Sequence, residues 1–138
     1  MKQLIIGFIE TIWNQQRFEK IDDFLSNDFI DFSLPEALPT TKEGTLMWIE
    51  NTGKSFKHHT DIDTLVAEGN MAIAKISFTA THIGEWRGIQ AAGIKFTVTG
   101  YRTFRIENEK ITAHWGHIDA TSIHNQLTHT GAGCKIQQ

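Results

Sequence analysis

The apolar positions of this chain change their period about halfway along. In the first part Leu4, Ile5, Phe8, Ile9, Ile12 and Trp13 recur at helical spacing, which predicts an amphipathic helix over residues 2–15. Phe18, Ile21, Phe24 and Leu25 predict a second, short helix, and Phe29 to Ser33 a short strand. Pro35 and Pro39 mark a loop. Thr40 and Glu43 have the spacing of a capping box, a hydroxyl for one orphan amide and a carboxylate reaching back. A helix over residues 41–56 follows, carrying Leu46, Ile49 and Phe56 on one side, and His58-His59 read as its solvated end.

The second half alternates. Asp61–Glu68, Met71–His82, Ile94–Ile106 and Lys110–Asp119 read as strands, with turns at Glu68-Gly69-Asn70 and Glu107-Asn108-Glu109. Gly84, Gly88 and Gly93 punctuate a longer connection. Residues 120–127 read as a last short helix, and 128–138, polar and Gly-containing, as a mobile tail. Helices followed by hairpin-linked strands predict an α+β fold, one domain over residues 1–127. A curved antiparallel sheet closed by the helices leaves a pocket at its concave face.

Polar residues interrupt three apolar rows. Side chains alternate faces along a strand. One row is Ala72, Ala74, Ile76, Phe78, Ala80 and His82; another is Ile94, Phe96, Val98, Gly100, Arg102, Phe104 and Ile106. The third is Ile111, Ala113, Trp115, His117 and Asp119. A buried charge without a partner is costly, so these groups pair with each other or face solvent at strand ends. If the rows face one cavity, His82, Arg102, His117 and Asp119 meet there. This holds only without a bulge, since one extra residue reverses the faces beyond it. Plainer roles stand beside the chemical one: His82 at a wet rim, Arg102 as a structural partner of Asp119, His117 as an ordinary hydrogen-bonded imidazole, Asp119 as a cap on Ala120-Thr121-Ser122. His114 falls on the opposite face from His117. His82, His117 and Asp119 are metal-ligand types, yet no recognised metal spacing is present, so no metal site is predicted.

Composition narrows the classes. With 138 residues, 40% apolar and 21% charged, the chain fits one soluble core. A net charge of −3 without a Lys/Arg cluster argues against nucleic acid as a partner, and no apolar run reaches membrane-spanning length. Met1 to Glu10 lacks a signal-peptide pattern, and the lone Cys134 excludes an internal disulfide. Both point to a cytoplasmic location. No Gly-rich phosphate loop precedes a helix, there is no nucleophile elbow, and Cys134 has the wrong setting for a catalytic thiol.

The stretch Thr81-His82-Ile83-Gly84-Glu85-Trp86-Arg87-Gly88-Ile89 resembles a segment of SnoaL-like polyketide cyclases (ester cyclases) of the nuclear transport factor 2-like superfamily. So do Gly93 to Ile106, Leu65 to Gly69, and Lys110-Ile111 followed by His114-Trp115 and Asp119. The likeness covers residues 60–127 well and the N-terminal helices loosely. Two departures stand out. Asp31-Phe32-Ser33 sits where the family often has a His-Asp pair, and Phe56-Lys57-His58 where it often has an aromatic-Pro-Asp. The resemblance implies a cone-shaped α+β fold with a deep apolar pocket. It also implies that the carboxylate at Asp119 acts as acid/base in an intramolecular aldol closure.

The expected function is therefore cofactor-independent acid/base catalysis on a hydrophobic carbonyl compound, a cyclisation or related isomerisation. Asp119 would move the proton, with Arg102, His82 or His117 stabilising the enolate oxygen, and Trp115, Phe78, Phe104 and Trp86 lining the pocket. The alternatives are a non-catalytic small-molecule-binding module of the same fold, or a hydratase, dehydratase or epoxide-opening enzyme. The outward strand faces, with Lys95, Thr97, Thr99, Tyr101 and Thr103 on one and Met71 and Ile73 on another, suggest a homodimer.

Overall fold

The computed structural model describes residues 1–129. The expected mobile tail lies, from residue 130 onward, outside the described residues, and so does Cys134. The chain folds as α1 (Lys2–Phe8), β1 (Leu25–Asp31), α2 (Lys42–Ser55), β2 (Phe56–Glu68), β3 (Met71–His82), β4 (Lys95–Glu107), β5 (Lys110–Ile118) and α3 (Ala120–Thr128). A single five-stranded sheet has the order β1-β5-β4-β3-β2, antiparallel throughout except for the parallel pair β1–β5. The α+β expectation holds.

The first apolar stripe forms as expected. α1 continues without a break into a π-helical turn, Ile9–Asn14, and buries Ile5, Phe8, Ile9, Ile12 and Trp13 against Ala72, Ala74, Ile76, Phe104 and Ile111 of the sheet. The wider π turn ends on Asn14, whose amide donates to the Thr60 carbonyl at 2.9 Å and accepts from the Thr60 N–H at 2.8 Å. A side chain thus substitutes for a strand neighbour on β2 and fixes where Trp13 points. The second stripe is a 3₁₀ turn, Phe18–Asp23, and Leu25 already belongs to β1.

Two local expectations change. The N-cap of α2 is Thr41 rather than Thr40, with no side-chain cap bond, so the capping box does not form. Phe56, read as the last helical residue, and His58-His59, read as the solvated helix end, belong to the start of β2 instead: Phe56 and Thr60 are buried, and His58 stacks on Phe78 with ring centroids 5.3 Å apart.

Strands β3 and β4 alternate as read, with Ala72 to His82 and Phe96 to Ile106 turned inward on every second residue. A second apolar cluster, Phe56, Phe78, Ala80, Phe96 and Val98, packs against Ile123 and Leu127 of α3. The outward residues of these strands, Tyr101 and Ile73 among them, are exposed.

Strand β5 departs from the reading. Ile106 pairs with Ile111 and Arg105 with Ala113, so Thr112 is an extra residue. Its hydroxyl is tied to the opposite strand, accepting from Arg105 Nε and donating to the Arg105 carbonyl, both at 3.3 Å. This bulge reverses the faces beyond it. His114 and Gly116 turn inward, opposite Phe104 and Arg102; Trp115 and His117 pair with the outward Thr103 and Tyr101.

Candidate functional site

A cavity of about 460 Å³ lies between the two apolar clusters. Phe8, Phe29, Phe56, Phe78, Phe104 and Ile111 supply much of its wall. The buried part of its polar lining is small: Asp31, Thr45, Arg102 and His114. The exposed lining residues Trp48, Asn51, Arg87, His117 and Ile118 mark its mouth.

The parallel pair β1–β5 builds the centre. Asp31 is the register partner of His114, and the Asp31 Oδ2 to His114 Nδ1 distance is 3.1 Å. Asp31 also accepts from the Ser33 N–H at 3.0 Å, the Ser33 hydroxyl at 2.6 Å and the Thr45 hydroxyl at 3.2 Å. Burial works to raise its pKa, but the bonds from His114 and Ser33 outweigh this and bring it to about 2. Asp31 is a fixed carboxylate.

On its other side His114 meets Arg102, with Nε2 and Nη1 3.3 Å apart. A guanidinium only donates. Nε2 must therefore be the acceptor, and Nδ1 carries the proton given to Asp31. Burial and the Arg102 charge lower the imidazole's pKa, with Asp31 opposing, which agrees with this neutral tautomer. Arg102 lies over the Trp13 indole, with Cζ 4.2 Å from its centroid, and its buried Nε has no hydrogen-bond partner. Burial pushes the guanidinium down to about 10, with Asp31 pulling the other way, so it keeps its charge at neutral pH. The result is a chain of three groups, anion, neutral base and cation, reaching the cavity through Arg102 and His114.

Arg102 is where it was expected, facing the cavity, but its partner is His114 and not Asp119. Asp119 is exposed and accepts from the Ser122 N–H at 2.9 Å as the N-cap of α3. The capping role, not the acid/base position, is what the structure gives it. His117 is exposed and reaches only the cavity mouth. His82 is buried at the sheet end, tilted against Phe56 at 5.5 Å, and is absent from the cavity lining; neither of its ring nitrogens has a partner. Phe78, Phe104 and Trp86 line the cavity as expected. Trp115 does not: the bulge turns it outward, stacked on Phe32 at 5.1 Å.

Sequence reasoning missed Asp31 and His114. For Asp31 the signal was present. In the strand read over 29–33, Phe29 and Asp31 share a face, an apolar row ending in a carboxylate. For His114 it was hidden by the bulge. Among the described residues no group of three or more His, Cys, Asp or Glu is placed to hold a metal ion. No helix there is long and apolar enough to cross a membrane.

The family model of the SnoaL-like polyketide cyclases matches residues 3–127. No sequence of a curated protein matches this chain. Among solved structures, TsrD from Streptomyces laurentii is 26% identical with a TM-score of 0.80, over 92% of this chain and 93% of that one. A candidate polyketide cyclase from Acidithiobacillus ferrooxidans superposes with a TM-score of 0.83 at 20% identity, over 94% and 95%. A SnoaL-like polyketide cyclase from Agrobacterium tumefaciens gives 0.76 at 16% identity, over 91% and 96%. At these last two identities the likeness speaks for the fold alone.

Proposed function

Because the chain belongs to the SnoaL-like polyketide cyclase family, we propose that its cavity performs acid/base chemistry on an apolar, carbonyl-bearing small molecule, and that His114 moves the proton. The observation that carries this is the Asp31–His114–Arg102 chain, buried at the inner end of an apolar cavity. A substrate carbonyl oxygen that engages Arg102 draws the guanidinium from Nε2. The freed lone pair then takes the proton α to that carbonyl. Negative charge develops on the oxygen beside a cation with unspent donors, in a site where water screens little. The imidazolium forms against Asp31, which also holds the ring in its tautomer. Attack of the enolate carbon on a second carbonyl of the same molecule closes a ring, and His114 returns the proton to the new alkoxide. This is an aldol-type cyclisation; return of the proton to a different carbon is an isomerisation.

One observation favours a second reading, a pocket that binds without reacting. The Nε2 lone pair of His114 is bonded to Arg102, so no free base faces the cavity.

Deuterium uptake separates the two. α-Tetralone, a neutral bicyclic ketone, is incubated with the protein in D₂O and its α-positions followed by NMR. Exchange faster than buffer in wild type, lost in a folded His114→Gln variant, is expected. Ligand-induced stabilisation without exchange, or exchange undiminished in His114→Gln, overturns the catalytic reading.

A further inference from the structure

The charges lining the cavity run against those of the chain. The protein as a whole is acidic, at −3, but the charged side chains lining the cavity are Asp31, Arg87 and Arg102. Asp31 is already occupied by Ser33, Thr45 and His114. Among the described residues neither guanidinium has a carboxylate partner. The cavity therefore offers two unspent cations, one buried and one at the mouth.

The two are presented in the same way. Arg102 lies over Trp13 at 4.2 Å, and Arg87 over Trp86 at 4.7 Å. Stacking on an indole face fixes the guanidinium plane and leaves its edge donors free for planar oxygen acceptors. The outer pair is held by local structure. Trp86 packs on Phe56 at 5.8 Å, and Trp86 and Ile89 exchange backbone hydrogen bonds of 3.0 and 2.8 Å across a two-residue turn. The turn residues Arg87 and Gly88 have φ of 49° and 81°. Asn, Asp or Gly would take that conformation easily; an arginine takes it at a cost on the order of 1 kcal/mol. The nearby Glu85 carboxylate is taken by the Gly88 N–H. Arg87 thus stands at the cavity mouth against the local preference of the turn and without a carboxylate partner.

We propose that Arg87 selects for a carboxylate on the ligand, so that the ligand class is an apolar ring system with an acid group at its outer end and a carbonyl oxygen at Arg102. The inner half of that statement rests on the proposed function; the Arg87 half does not.

The test is calorimetric titration with 2-naphthoate and with 2-naphthamide, its neutral isostere. Wild type is expected to bind the acid about tenfold more tightly, the effect of one charge-assisted bidentate pair. Arg87→Asn, which suits the positive φ, should bring the two affinities together, and Arg87→Lys should keep part of the difference. Equal affinities in wild type, no binding of either compound, or a preference that survives in Arg87→Asn overturns the proposal; the last would assign the carboxylate to Arg102. α-Tetralone carries no acid, so its exchange in wild type reports on the proton-transfer reading separately.

Discussion

Arg102 and His114 come within 3.3 Å of each other because the residue directly across from Arg102 is a glycine. A Cβ on Gly116 would lie 2.9 Å from His114 Cε1 and 3.1 Å from Arg102 Nη1. The missing side chain is the space in which the two polar groups meet. Gly116→Ala is thus expected to push them apart, cost about 1–3 kcal/mol of stability by overpacking, and remove most α-tetralone exchange. Urea unfolding and NMR exchange on the same preparation check it. An alanine variant as active and stable as wild type would show that the contact has no role.

Two of the three shifted groups at the centre, Asp31 and His114, make the protein acid-sensitive. Asp31 is held at about 2 in the fold against an ordinary 3.8, so its stabilisation is complete above 3.8 and disappears as pH falls toward 2. His114 lies below its ordinary 6.5, so the fold favours the neutral ring; that contribution is complete above 6.5 and is lost as pH falls through the folded value. The urea midpoint should be level above about pH 7, decline below 6.5 and decline again below 4, with the second decline shallower in Asp31→Asn. The acid limb of the exchange rate should fall below pH 6.5. A limb centred above that value contradicts the placement of His114.

Asp119 gives a sharp contrast. As the N-cap of α3 it should tolerate Asn, which caps equally well, with stability and exchange near wild type. Asp119→Ala should lose about 1 kcal/mol and keep its exchange rate once the fraction folded is equal. Abolished exchange in a stable Asp119→Asn variant would return the acid/base role to this carboxylate.

Thr45→Val removes one buried donor from Asp31 and leaves the shape intact. The expected cost is about 1.5 kcal/mol, as for a bond to a charged group, with the acid decline in stability no steeper than in wild type. Urea unfolding at two pH values measures both.

The frame of this protein was legible where one period runs unbroken. The stripe from Leu4 to Trp13 and the rows of β3 and β4 behave as the alternation requires, and Arg102 was found by that logic. The site was legible only in part. Arg102 announces itself as a charge inside an apolar row, and Asp31 as a charge at the end of a shorter one. The partners of Arg102 come from β1, a short strand joined in parallel at the sheet edge, and from β5 past the bulge. Neither contact follows from the spacing of residues along one strand. The place expected of Asp119 inside the cavity was misjudged for the same reason: the row containing it was counted through Thr112 as if the pairing were regular.

The extra residue at Thr112 also sets how this strand can change. Ahead of it and behind it the same strand follows two opposite alternations. Removing that one residue would keep Ala113 opposite Arg105 and leave His114 and Gly116 facing the cavity, whereas seating Thr112 opposite Arg105 in regular pairing would exchange the two sets and bring Trp115 and His117 inward. The polar complement of the cavity is in this sense written in strand pairing as much as in residue type. A one-residue slip of β5 against β4 would reach a different pocket without any change of residue type.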